Sequence, residues 1–276
     1  MAITNLTVTF ADKIDERFAP STVSNAAVNQ DYSWDGSKTI KVSSVSTGTM
    51  SDYVGATGFG TPEELANSVQ DMLLTKDRKF SILLDKMDEN ESKVKAGEVL
   101  ARQLREEVMP EIEAYRFNVM CAGVPVANEV TLDTATQTSY EVFLDANEKL
   151  DDAFVPTMGR VAFVSPKFYN LIKKDDSFIK QADLGQNIAI TGMVGEIDGV
   201  AIVKTNKAWL TDGVKTFDCL IAHNVATVAP IKLAEYRMNT APERFSGTLF
   251  DGRFVYDAFV LDNKAVALAS IEDVTV

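Results

Sequence analysis

The chain has 276 residues, 46% hydrophobic and 24% charged, and its 27 lysines and arginines against 40 aspartates and glutamates give a formal net charge of -13. These proportions belong to a globular protein able to bury a core, and they exclude the disordered and collagen-like classes. The acidity disfavours sequence-specific binding to a phosphate backbone. 

No apolar run approaches the ~20 residues of a membrane helix. The opening MAITNLTVTFADKIDE lacks the basic stretch and apolar block of a signal peptide, so the chain reads as cytosolic. The length allows one large domain or two modest ones, and no Pro, Gly or Ser linker divides it. To about residue 35 the large apolar residues (Ile14, Phe18, Val28, Tyr32, Trp34) are scattered among Ser, Asn, Ala and Asp, as in an arm unable to bury itself. Asp35-Gly36 supplies a turn. Ser37 to Val42 then alternates as a half-exposed strand, with Ile40 and Val42 on one face.

SSVSTGTMSDYVGATGFGTP, residues 43 to 62, is a long flexible loop, followed by a short helix candidate at Thr61-Pro62-Glu63-Glu64. Val69 to Asp85 returns to strand character, so that two strands bracket a glycine-rich tip as an extended hairpin. Asp88 and Glu91 are spaced as a capping box. From about Asn90 to Met120, Leu100, Leu104, Val108, Ile112, Tyr115 and Val119 form one buried stripe, with Arg102, Arg105, Glu106, Glu113 and Arg116 on the other side. Such a helix is on the order of 45 Å long. Pro110 cannot bond the Glu106 carbonyl and should bend or end it.

Beyond Gly123 the pattern is that of a small α/β unit: a helix over Thr138 to Asp152, a strand over Arg160 to Val164, and a helix opening at Ser165-Pro166. IDGVAIVKT reads as a strand reached through a turn. The tail, FDGRFVYDAFVLDNKAVALASI, reads as two alternating strands around a turn at Asp262-Asn263.

Catalytic patterns are missing. The single histidine, His223, lies in an apolar stretch, which suits a packing residue better than a ligand or base. Gly55, Gly58 and Gly60 lack the Lys-Ser or Lys-Thr of a phosphate loop. The acids Asp85, Asp88, Glu89 and Glu91 lack the ligand alternation of a calcium loop and suit a helix start. Cys121 and Cys219 are too far apart for a metal knuckle or redox pair, so two reduced thiols are the default and a disulfide between them stays open.

The order of parts carries a resemblance. KIDERFAPSTVSN, DRKFSILLDKMDENES, AGEVLARQLREEVMPEIEAYRF, GEIDGVAIVKT and FDGRFVYDAFVLDNKAVAL resemble segments of major capsid proteins of long-tailed phages of Gram-positive bacteria, which have the Hong Kong 97 type of fold. The resemblance implies an α+β chain with an N-terminal arm (1–35), an extended β-hairpin loop (36–86) and a peripheral domain with a long spine helix (87–136). It further implies an axial domain (137–229) and strands returning to the peripheral domain (230–276). The implied function is structural, with no enzymatic activity, cofactor or metal. Subunits would self-assemble, in the cytoplasm of the host bacterium, into the pentamers and hexamers of an icosahedral head in the virion. The implied partners are other copies of the chain, a portal protein, optionally a decoration protein, and packaged double-stranded DNA contacted non-specifically, with no membrane. Met1 leads almost directly into the arm, so a separate scaffolding protein is expected in place of a cleaved scaffolding segment. An encapsulin-like compartment of the same fold is the alternative.

The loop from Gly36 to Lys86 is charge-balanced, with Lys38, Lys41, Lys76, Arg78, Lys79 and Lys86 against Asp52, Glu63, Glu64, Asp71, Asp77 and Asp85. It could therefore lie on an acidic neighbour without repulsion. Arg17, Phe18, Lys38, Lys41, Tyr53, Phe59, Lys76, Arg78 and Lys79 are the candidate contacts between subunits, and Pro110 is the candidate kink of the spine helix.

Overall fold

The computed structural model describes residues 22–29, 31–32, 39–50, 52–53, 55, 61, 63–86, 96–175, 195–240, 242–243 and 246–274. The turn expected at Asp35-Gly36 and the cap expected at Asp88 and Glu91 lie outside them. A 3-10 turn, Ser24–Ala27, leads into β1 (Val28–Asn29), β2 (Thr39–Val45), β3 (Asn67–Leu73) and β4 (Lys76–Asp85). One helical run follows: α1 (Ala96–Gln103), a π-helical turn over Leu104–Val108, and α2 (Met109–Ala122). Next come β5 (Glu129–Leu132), α3 (Ser139–Asp152), β6 (Arg160–Val164) and α4 (Pro166–Lys174). They are followed by β7 (Glu196–Ile197), β8 (Val200–Lys204), β9 (Cys219–His223) and β10 (Thr227–Val228). The remainder is β11 (Ile231–Asn239), β12 (Gly247–Tyr256), β13 (Phe259–Val260), a 3-10 turn over Asp262–Ala267, and β14 (Leu268–Asp273).

Among the described residues the strands form four sheets, ordered β5-β14-β9-β6-β8-β7, β11-β12-β4, β1-β10-β13 and β2-β3. The first holds the main core. RVAFV and CLIAH, which form β6 and β9, are buried on both faces, so they show no alternation. Phe117 and Met120 of α2, Phe143 and Leu150 of α3 and Phe168 of α4 pack with these strands, and all are fully buried. Each such side chain contributes about 1.5–3 kcal/mol. Local chemistry sets the helix starts. The Thr138 hydroxyl accepts from Glu141 N–H (3.3 Å) while the Glu141 carboxylate accepts from Thr138 N–H (3.2 Å). Ser165 Oγ caps α4 and donates to buried Asp218 at 2.7 Å. Asp198 and Gly199, with φ of 51° and 74°, make the tight turn that joins β7 to β8.

α2 serves two cores, which explains its apolar residues on more than one face. Ile112 and Tyr115 meet Phe80, Phe254 and Tyr256 of the β11-β12-β4 sheet, while Phe117, Met120 and Cys121 face the main core. Phe80 lies on Gly252, its register partner in β12, where any Cβ would come within 2.2 Å of the ring. A side chain at 252 would push the aromatic out of this layer.

Several expectations are corrected. The helix does not break at Pro110. Met109 N–H bonds the Leu104 carbonyl, five residues back, and the widened turn carries Pro110, the second residue of α2, within an unbroken helical run. Glu113 and Arg116, expected on the solvent side, are 2% and 5% exposed. Segment 24–27, expected to lie unburied in an arm, has Ser24 and Ala27 fully buried. Glu63 and Glu64 are irregular and not helical. The strand expected over Val69 to Asp85 divides at Leu74 and Thr75. β3 pairs with β2, whereas β4 pairs with β12 along its whole length.

The tail is no hairpin either. β12, β13 and β14 enter three different sheets, because residues 262–267 coil into a 3-10 turn and the apolar β14 is buried between β5 and β9.

Candidate interaction surfaces

The hairpin β2-β3 alternates as its sequence requires. Ile40, Val42 and their partners Met72 and Gln70 face inward, where Met72 is fully buried with Leu74, Val228, Val255 and Leu261. The other face carries Val45, Val69 and Leu73, all at least half exposed. Gln70 fastens the hairpin sideways, donating to the Val260 carbonyl (2.8 Å) and accepting from Asp262 N–H (3.3 Å). At the tip, Thr49 N–H and hydroxyl both donate to Glu63, at 2.9 and 2.5 Å, and hold its carboxyl below the usual range.

The junction between hairpin and sheet is built around buried Asp257. Its Oδ2 accepts from Thr75 N–H (2.7 Å) and Thr75 hydroxyl (2.8 Å); its Oδ1 accepts from Tyr115 hydroxyl (2.6 Å) and Ala258 N–H (2.8 Å). Burial first, and then this carboxylate, push the Tyr115 phenol well above its ordinary range. Nearby, burial and Glu111 push Tyr256 up to about 12.

A second buried node fixes segment 22–29. Glu113 Oε2 accepts from Val23 N–H (3.1 Å) and Ser24 N–H (3.0 Å), and Oε1 accepts from Ser24 hydroxyl (2.6 Å). Arg116 donates to Ser24 Oγ (3.0 Å), Asn25 Oδ1 (2.8 Å) and the Ala229 carbonyl (3.3 Å). Arg116 Nη1 and Glu113 Oε1 are 3.6 Å apart, so the buried charges compensate each other, although burial lowers the Arg116 pKa.

Of the candidate contact residues, Arg17, Phe18, Lys38 and Phe59 lie outside the described residues. The others are spread along hairpin and sheet and do not form one cluster. Lys41 is 3.6 Å from its cross-strand neighbour Asp71, Lys76 lies 4.8 Å above the Tyr115 ring, and Arg78 is 2.6 Å from Glu111 of α2. Lys79 and Tyr53 are exposed. The outer face of the β11-β12-β4 sheet alternates charge, with Arg253 gripping Asp77 through two bonds (2.9 and 2.6 Å) and Ser81 bonding Asp251 at 2.6 Å. Sequence reading missed the Asp257 and Glu113 nodes. It also missed Phe154 and Met158, which are 95% and 87% exposed on the loop between α3 and β6.

Little here is chemically reactive. Both thiols are buried and unpaired with each other, and burial raises Cys121 to about 12 and Cys219 higher still. His223 is a satisfied packing residue: its Nδ1 accepts from Val225 N–H (3.2 Å), so Nε2–H donates to the Met158 carbonyl (3.0 Å). Among the described residues no group of three His, Cys, Asp or Glu could hold a metal ion, and no helix is long and apolar enough to cross a membrane.

No family model and no curated protein sequence matches the chain. Solved structures do. One from Mycobacterium phage Che8 superposes with a TM-score of 0.78 at 16% identity, covering 98% of this chain and 98% of that one. The capsid structure of the cyanophage P-SCSP1u gives 0.78 at 14% identity, over 99% of this chain and 94% of that one. The mature capsid of bacteriophage PhiM1 gives 0.75 at 13%, over 98% of this chain and 92% of that one. The chain therefore has the fold of phage capsid subunits along nearly its whole length.

Proposed function

We propose that this chain is the major capsid protein of a tailed bacteriophage, a structural subunit of the Hong Kong 97 type. The observation that carries this reading is the likeness in fold to phage capsid structures over 98–99% of the chain. The geometry agrees with it. A hairpin packed on one face, with exposed apolar residues on the other, is suited to lie on another molecule.

On this reading residues 1–35 are the arm, 36–86 the extended loop, 87–136 the peripheral domain with the spine helix, 137–229 the axial domain and 230–276 the returning strands. Copies join as pentamers and hexamers into an icosahedral head around double-stranded DNA, in the host cytoplasm, with a separate scaffolding protein, a portal and optionally a decoration protein. Arg17, Phe18, Lys38, Lys41, Tyr53, Phe59, Lys76, Arg78 and Lys79 contribute contacts to neighbours. For Lys41, Lys76 and Arg78 this means sharing or exchanging the partners they have within the subunit. The net charge of -13 suits a shell in which DNA must move without sticking.

The test is electron microscopy of the purified protein, alone and with its scaffolding protein. Closed or tubular particles, or stable rings, are expected. A compact monomer at every concentration and salt would reject the reading.

A further inference from the structure

None of the described residues of the sheet β11-β12-β4 belongs to the main core. Phe254 and Tyr256 are buried with Ile112 of α2, and Val255 alone reaches from the sheet into the apolar cluster under the hairpin β2-β3. At the surface Arg78 and the Tyr256 hydroxyl meet Glu111, but an ion pair this exposed holds little. The sheet is a separate body, carried by few connections.

Three of those connections lie side by side. Tyr256 stands opposite Ile231 on one flank and Lys76 on the other, so the chain enters or leaves the sheet three times along one line. One residue further out the three passages are tied together. Asp257 N–H donates to the Pro230 carbonyl (3.2 Å), and Thr75 N–H and hydroxyl donate to Asp257 Oδ2 (2.7 and 2.8 Å). The Tyr115 hydroxyl, donating to Oδ1 at 2.6 Å, adds the helix to the same residue. Next to this line the register of β11 slips between Ile231 and Leu233, a bulge of the kind at which a strand bends. Beyond it, Gln70 bonds the Val260 carbonyl and Asp262 N–H, so the hairpin is fastened away from the sheet although two residues separate β3 from β4.

We propose that the line Pro230–Asp257–Thr75 is a hinge between this sheet and the main core, and that Asp257 is the pin that fixes its angle. Hydrogen bonds concentrated at a few element-terminal residues, between two bodies that share little buried surface, are where a change of angle is absorbed. The angle has a consequence at the surface. Every described side chain of β11 is exposed, Ile231, Tyr236 and Met238 among them, so the set of the hinge decides where this strand points. The inference concerns a single subunit and does not rest on the capsid reading.

Spin labels on Met238→Cys of β11 and Val126→Cys of the turn before β5 read the distance across the hinge, because Cys121 and Cys219 are buried and stay unlabelled. The labelled chain, diluted with unlabelled chain so that only distances within one subunit are read, should give one narrow distribution. Asp257→Asn should widen it about twofold, and Thr75→Val, which loses a single hydroxyl, should widen it by less. In both variants the β12 amides should stay protected as in a paired strand. Distributions as narrow as the parent's in both variants would overturn the hinge. Widening that comes with loss of β12 protection would overturn it too, since the sheet would then be melting and not turning. If Asp257→Asn does not fold, Thr75→Val decides alone.

Discussion

Thr75 gives both its backbone N–H and its hydroxyl to one oxygen of Asp257, at 2.7 and 2.8 Å, across 182 residues of sequence. Thr75 lies between the strand that belongs to the hairpin and the strand that belongs to the sheet, so this carboxylate sits at the root of the projection. Asp257→Asn sets an amide donor against donors that all need an acceptor. It should cost about 1–3 kcal/mol in chemical denaturation. Hydrogen exchange should rise over 39–45 and 67–73 before it rises in β6.

Glu113→Ala removes the acceptor for three donors of segment 22–29 and leaves Arg116 buried without its counter-charge. A loss of about 3–5 kcal/mol is expected. Limited proteolysis should then cut before residue 30, with the main core still protected; a variant as resistant as the parent would show that burial of Ala27 holds the segment unaided.

Pro110→Ala restores a donor just behind the π-helical turn. The run from Ala96 to Ala122 should relax towards continuous α-helical bonding, seen as backbone shifts over Leu104–Val108. If the widened turn serves a change of helix curvature between shell states, the variant should favour one state on assembly. Unchanged shells and an unchanged turn would mean that the proline is merely tolerated.

Replacing Ser46 to Ala66 by an Asn-Gly turn removes the tip but keeps the pairing from Thr39 with Leu73 to Val45 with Asn67. Circular dichroism should report a cooperatively folded subunit, since none of the described residues in the excised stretch is buried. Sedimentation should report failed or aberrant assembly. Normal shells would remove the tip from any role in assembly.

Acid should loosen the tip. Glu63 has its pKa lowered from 4.5 by the Thr49 hydroxyl and N–H, so the contribution is complete above that unfolded value and is lost as pH falls through the lower folded one. The protection of the Thr49 amide, relative to its intrinsic exchange rate at each pH, should therefore fall on acidification, and Glu63→Gln should show low protection at neutral pH already.

Periodicity and capping made the middle of the chain legible. Thr138 with Glu141, Ser165-Pro166 and the run over Arg160 to Val164 each specify their element within a few residues. Pairing was not legible, because alternation says that a strand has two faces and not which strand lies beside it. FDGRFVY and AVALASI both alternate, yet only the coiling of residues 262–267 separates them into different sheets. Charge misled at Glu113 and Arg116, since a helix face carrying an acid and a base three residues apart looks solvated until its hydrogen-bond partners, ninety residues away, are known. Phe154, left-handed at φ 57°, gave no signal, because such a residue is anticipated only where glycine or asparagine stands.

The position of β14 bears on when the subunit can fold. This strand sits between β5 and β9, pairing with one in parallel and with the other in antiparallel fashion, so it joins segments made far earlier in synthesis. Until residue 273 has left the ribosome, β5 has no neighbour in its sheet and β9 lacks one of its two. Closure is thus deferred until β14 has been made, with a correspondingly slow, non-local search. A chain interrupted upstream of β14 would fail to complete the main sheet, and on the capsid reading a growing shell would be spared subunits that are nearly, but not wholly, finished.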